Sequence, residues 1–200
     1  MLKRICILTV LLLAFGVAPL LAQTFEIDKI HSSVGFSIRH IVTKVKGRFI
    51  DFSGQIVYDS SKIENSSVNV TIDAASINTD NEKRDGHLKS ADFFEVEKYP
   101  QITFHSTKVF RQKDQLMLTG LLNMHGVEKE ITFPFEVLGI FKSGSGKMSG
   151  GFEAGLKSDR TDFGIAWNRP LELGGLLLGD EVTIDLNIEA RETEEETEQK

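Results

Sequence analysis

Five histidines, at positions 31, 40, 87, 105 and 125, and two arginines, Arg84 and Arg160, are the side chains of this 200-residue chain whose chemistry bears first on function. The histidines show no i, i+3 or i, i+4 spacing that would set two imidazoles on one helix face around a metal. The nucleophile elbow G-x-S-x-G, the zinc motif H-E-x-x-H, the Walker loop and the Rossmann glycine run are not found in the sequence. No catalytic residue and no metal are therefore expected, although a site assembled from distant residues stays open. Asn65-Ser66-Ser67 is a glycosylation sequon, which matters only in a eukaryote.

His40 is the most informative single residue. It is in phase with Val34, Phe36 and Ile38, so its ring falls on the apolar side of their strand. Two readings follow: a strand-end histidine at the rim satisfied by a carbonyl, or a polar group at the mouth of an apolar cavity that fixes a ligand head group. Arg84, Asp85 and His87 read as a solvated helix face with local ion pairs. Arg160 reads as an Arg–Asp pair holding its loop, with Asp159 and Asp162 close by. If either arginine points at a cavity mouth, its planar fork suits phosphate or carboxylate. Phe93, Phe94, Phe104, Phe133, Phe135, Phe152 and Trp167 line such a cavity or fill a core.

The elements that must position these groups are strands, because the hydrophobic period is two almost everywhere. Ile131, Phe133, Phe135 and Val137 alternate with Thr132, Pro134 and Glu136, and Val182, Ile184, Leu186 and Ile188 alternate with acidic and polar residues. One apolar and one polar face per strand is what an antiparallel sheet wet on one side requires. Strands are expected over 24–29, 32–42, 45–58, 67–75, 101–110, 115–125, 130–140, 148–158 and 180–190. Several run to about ten residues, or about 33 Å, which suits a tilted barrel better than a sandwich. The fold class is all-β: an eight-stranded antiparallel barrel with a short helical insertion near 80–95. Thr79-Asp80-Asn81-Glu82 reads as the capping box that opens this helix, which runs to about Lys89 and is polar all round apart from Leu88. Residues 159–179 form a second break, long enough to be functional.

Composition narrows the classes further. Hydrophobic residues are 40 % and charged residues 26 %, which excludes a polytopic membrane protein and a wholly disordered chain. Fourteen Phe against two Tyr and one Trp point to a greasy interior. Lys3 and Arg4 precede an apolar run from Ile5 to about Ala18, so residues 1–22 read as a signal peptide cleaved near Ala22, with a retained single-pass anchor as the competing reading. Cys6 lies inside that run, and a mature chain from Gln23 has no thiol for a disulfide, a nucleophile or a metal. The net charge is −6, and loss of Lys3 and Arg4 makes it two units more negative, which argues against nucleic acid as a partner. The expected domains are the leader, a barrel over 23–190, and an acidic disordered tail over 191–200. The expected location is a periplasm or the outside.

Beginning at His31-Ser32-Ser33-Val34-Gly35-Phe36-Ser37-Ile38-Arg39-His40, the chain resembles the YceI-like family of lipocalin-like polyisoprenoid-binding proteins. The likeness continues through Gly47-Arg48-Phe49 and is strongest from Arg84-Asp85-Gly86-His87-Leu88 to Phe93-Phe94-Glu95-Val96 and Tyr99-Pro100. Leu121 to Val127 and Arg160-Thr161-Asp162-Phe163-Gly164-Ile165 resemble later blocks, so the likeness covers about 24–190. The resemblance implies a barrel whose pocket takes a polyprenyl phosphate, an isoprenoid quinone or a fatty-acid-like lipid, with no cofactor besides that ligand. It marks His31, Ser32, His40, Arg84, Asp85, His87, Phe94, Tyr99, Pro100, Arg160, Asp162 and Phe163 as signature positions, without dividing them into ligand contacts and fold holders. The candidate ligand residues are His40, Arg84, His87, Phe94, Phe104, Phe133, Phe135, Arg160 and Trp167. Transient membrane contact for lipid exchange and a homodimer are the further partner expectations. Two alternatives stand beside the carrier: an enzyme using His40 or His87 as acid–base with Arg84 or Arg160 on a phosphate, and a filled barrel without ligand.

Overall fold

The computed structural model describes residues 22–144, 146–172 and 174–193. The leader expected over 1–22 lies outside the described residues except for Ala22, as does the tail from 194 onward.

Alternation of apolar and polar residues produces eleven strands among the described residues. β1 (Gln23–Ile27) and β2 (Ser33–His40) are two halves of one bent strand, and β3 (Thr43–Phe49) and β4 (Phe52–Tyr58) are halves of another. β5 (Ser67–Asp73) and the two-residue β6 (Ile77–Asn78) lead to the helix α1 (Glu82–Lys89). The long strands β7 (Gln101–Gln112), β8 (Gln115–Met124), β9 (Val127–Lys142), β10 (Met148–Asp159) and β11 (Leu178–Glu192) complete the order. All pairings are antiparallel, and the ring closes because β11 pairs with β2 along Leu178–Asn187 and with β1 along Ala190–Glu192. With each bent strand counted once and the two-residue β6, which pairs only with β3, left outside the ring, this is the closed eight-stranded barrel that the sequence pattern predicts.

Local chemistry explains where the boundaries differ from the pattern. The strand expected over 45–58 bends at Ile50–Asp51, so that β3 follows β2 and β4 follows β1. The strand expected to end at 75 ends at Asp73, whose side chain accepts from the Ala75 amide and turns the chain into a short 3-10 segment. β11 runs to Glu192, so Arg191 and Glu192 belong to the barrel and not to the tail; they pair with Glu26 and Phe25. The helix N-cap is Asn81, which accepts from the Arg84 amide; Thr79 is not the cap, because its hydroxyl is engaged by Asp85 and Arg84. In β9 the extra residue Leu138 is extruded where Gly151 pairs with Gly139 and Phe152 with Val137.

One side of the wall is joined over only part of its length. The β9–β10 ladder runs from Met148↔Lys142 to Ala154↔Phe135 and stops at Pro134, which has no N–H to continue it. Beyond that point residues 127–134 pair with β8 alone, and residues 155–159 pair with β11 alone. Most of the buried apolar residues form three separate clusters around the lumen. One centres on Phe49, Phe52 and Ile102 beneath α1, one on Phe25 and Phe152, and one on Val109, Leu118 and Phe133.

Candidate functional site

The space between those clusters is a cavity of about 490 Å³ with an almost wholly apolar lining. That lies within the ~300–1,000 Å³ of small-molecule sites. It also exceeds threefold the ~150 Å³ of a cavity that stays dry and binds benzene.

The cavity is kept open by an arrangement not read from the sequence. Three inward-facing glycines each receive the ring of a phenylalanine. A Cβ on Gly47 would stand 2.4 Å from Phe36 Cζ, one on Gly120 2.5 Å from Phe104 Cζ, and one on Gly150 2.8 Å from Phe152 Cε2. The rings occupy the volume that side chains would otherwise fill, instead of projecting across the lumen. The only signal in the sequence was glycine in phase with inward apolar residues, such as Gly120 between Leu118 and Leu122.

All nine candidate ligand residues stand on the wall of this one cavity. Phe104 and Phe133 pack against each other at 5.6 Å on its wall, with Phe135 on the same strand face as Phe133. Phe94 packs edge-on against Phe49 at 5.8 Å, and Phe49 against Phe36 at 5.8 Å. Leu88, the lone apolar residue of α1, also reaches the wall. The polar candidates gather at one end. His40 closes β2 there, and α1 meets the loop after β10 through a knot of rings. His87 lies edge-on to Phe93 and to Trp167, both at 4.9 Å, and Phe93 tilts against Trp167 at 5.2 Å.

The two arginines have different duties. Arg160 is 5 % exposed. It donates from Nε to Gly179 O at 2.9 Å, from Nη1 to Ile165 O at 2.6 Å and Trp167 O at 2.9 Å, and from Nη2 to Asp180 Oδ1 at 2.8 Å. Its carboxylate partner is Asp180, not the neighbouring Asp162, which pairs with Lys129 at 2.7 Å. Asp159 accepts from the Thr161 amide and hydroxyl, which hold its carboxyl below the usual range. Arg160 is thus the clamp of the 160–179 loop, as well as a wall residue. Arg84 donates from Nε to Thr79 Oγ1 at 2.7 Å and from Nη2 to Thr79 O at 2.8 Å, and no partner of Nη1 is found among the described residues. Half of its fork is therefore available at the cavity end. His87 Nε2 contacts Asp92 Oδ2 at 2.8 Å.

The remaining signature positions hold the fold. Ser32 Oγ donates to Glu189 O and accepts from the Glu189 amide, stitching β2 to β11. Tyr99 packs against His125 at 4.8 Å, and the ring sits where a Cβ on Gly126 would be. Phe163 is buried, with its carbonyl against His125 Nδ1 at 2.9 Å. Asp28, His31 and Glu189 converge as a set of residue types that could ligate a metal. The guanidinium of Arg191 already lies among them, 2.6 Å from Asp28 and 3.6 Å from Glu189, and supplies the positive charge there. Hydrogen bonding from His31 leads the effects that lower the carboxyl of Asp28, against a smaller opposing effect of burial.

Comparison with known proteins agrees with this geometry. The family described as YceI-like domain matches residues 25–190. Protein YceI of Escherichia coli O157:H7 is 38% identical over 166 residues, covering 82% of this chain and 87% of that protein. Protein YceI of Salmonella arizonae is 37% identical over the same length. The crystal structure of the Campylobacter jejuni YCEI protein superposes with a TM-score of 0.68 at 36% identity, covering 84% of this chain and 96% of that one. A polyisoprenoid binding domain from Saccharophagus degradans shares the fold alone, with a TM-score of 0.63 at 16% identity over 86% of this chain and 99% of that one.

Proposed function

The chain belongs to the YceI-like domain family, and from that premise we propose that it binds one long amphiphile of the polyisoprenoid type, tail along the barrel and head group at the Arg84 end, as an exported carrier or scavenger. The observation that carries this reading is the apolar cavity of about 490 Å³ running past Phe104, Phe133 and Phe94. A tail moved from water into such a lining gains about 0.8 kcal/mol per CH₂, so binding needs no catalysis. Arg84, with Nη1 uncommitted, and His40 supply a small polar end suited to phosphate, carboxylate or a quinone carbonyl. The binder is favoured over an enzyme that grips a phosphate through Arg160, since Nε, Nη1 and Nη2 of Arg160 are all bound within its own loop and to Asp180. The size of the cavity counts against a filled, ligand-free barrel. The basic and apolar residues 3–18 support export, with cleavage near Ala22.

Native mass spectrometry of protein purified without detergent, followed by solvent extraction, tests the reading. A stoichiometric isoprenoid or acyl lipid is expected, and protein that is empty and also refuses added isoprenoids overturns it. Phe104→Asp and Phe135→Asp should each lose the extracted lipid while the barrel still folds; unchanged loading in both would count against the pocket.

A further inference from the structure

The tip that surrounds the polar end of the cavity carries features that neither the fold nor the cavity requires. β2 and β3 are joined by a two-residue turn, Ile41-Val42, between the paired residues His40 and Thr43. Such turns favour Asn-Gly because they need positive φ. Here Ile41, a β-branched residue, takes φ 53°, and Val42 is 95 % exposed. Backbone preference and hydration both oppose this pair at this place. The neighbouring loop adds Leu176, 43 % exposed, and is tied to the turn by the Ile41 amide donating to Leu177 O at 2.9 Å.

Positive charge rings this apolar point. Arg39 stands directly across from Lys44 on the outer face of the hairpin, a like-charge pair that is unfavourable in isolation. Lys46 follows on the same face, and Arg169 projects from the loop. Arg48, farther down β3, is paired with Asp80. Arg39, Lys44, Lys46 and Arg169 have no carboxylate partner among the described residues; the nearby acids Asp180 and Glu181 are paired with Arg160 and Lys157, and Glu172 is the acid of the adjoining loop. In a chain of net charge −6 this is a local reversal of sign.

We propose that this tip, Ile41, Val42 and Leu176 with Arg39, Lys44, Lys46 and Arg169, docks on an anionic lipid bilayer. Its purpose rests on the lipid-binding reading, while its observations do not. The apolar residues enter the headgroup–acyl boundary and the cations bind the anionic surface, the two signals that stable but reversible attachment needs. His40, Trp167 and Leu177 lie just behind the tip on the cavity wall, so docking sets the cavity end against the bilayer.

The test is co-sedimentation with vesicles of equal parts phosphatidylethanolamine and phosphatidylglycerol, against phosphatidylcholine vesicles. The chain should sediment with the anionic vesicles and be released at about 1 M salt, where the screening length falls to about 3 Å. Lys44→Gln should weaken partitioning about fivefold, and Val42→Asp should weaken it further. Both variants carry the same amino-terminal segment as the parent, so the differences read the tip alone. Neither residue lines the cavity, and extracted lipid should be unchanged in both. Unaltered sedimentation of both variants, or equal binding to neutral vesicles, overturns the proposal. An empty cavity beside intact tip-dependent sedimentation would overturn the carrier reading and leave the docking surface standing.

Discussion

Arg160 shows how one residue joins the cavity wall to the stability of the barrel. Four of its N–H groups hold the carbonyls of Ile165, Trp167 and Gly179 and the carboxylate of Asp180. Arg160→Met keeps the apolar stem and leaves these acceptors without a donor. It should cost about 3 kcal/mol, read as a lower urea midpoint, and should redden the emission of Trp167, the single tryptophan. Gly47→Ala tests the opposite property. Its methyl would meet Phe36 and Thr79 Cγ2 at 2.4 and 2.8 Å. The change should cost about 1–3 kcal/mol and, by pushing Phe36 into the lumen, reduce the amount of lipid extracted. Wild-type loading in a well-folded Gly47→Ala protein would show that the ring's seat does not govern the cavity.

Among the elements, the turn between β4 and β5 is held by one carboxylate. Asp59 accepts from the Ser61 amide and hydroxyl, the Lys62 amide and the Asn65 side chain. The Ser61 and Asn65 side chains lead the effects that lower its pKa from 3.8 to about 2. A lowered folded value means a contribution present above the unfolded value and lost as pH falls through about 2. Acid unfolding monitored between about pH 4 and pH 2 should therefore be less steep in Asp59→Asn than in the parent. The strands were legible because a wet sheet writes its period into the sequence one residue at a time. The N-cap of α1 was not, because the choice between Thr79 and Asn81 depends on Arg84 and Asp85 folding back onto Thr79. Arg160 likewise finds Asp180, twenty residues away, by a route that only the closed barrel supplies. The candidate site residues were legible as types and phases; their meeting on one wall follows from closure.

For the whole molecule, the abundance of phenylalanine did not decide between core and cavity. A volume is set jointly by every inward side chain, and here by three glycines that seat rings instead of filling space. If a ligand occupies that volume, it must stabilise the fold by mass action. At about 100 times its dissociation constant the gain is about 2.7 kcal/mol, or a rise in Tm of about 5–10 °C for a domain of this size. Calorimetry before and after solvent extraction should show that difference, and coincident melts would mean that nothing had been removed. The incomplete ladder between β9 and β10 bears on the mechanics of the same wall. Past Pro134 each half-strand keeps one hydrogen-bonded neighbour, β8 on one side and β11 on the other. There the two are held by side chains, with Leu156 of β10 packed against the cluster of Phe133 and Ile131 of β9, and not by ladder bonds. The cohesion of this stretch of the circumference is therefore that of apolar contact alone, while every other seam of the ring is fastened by backbone hydrogen bonds as well.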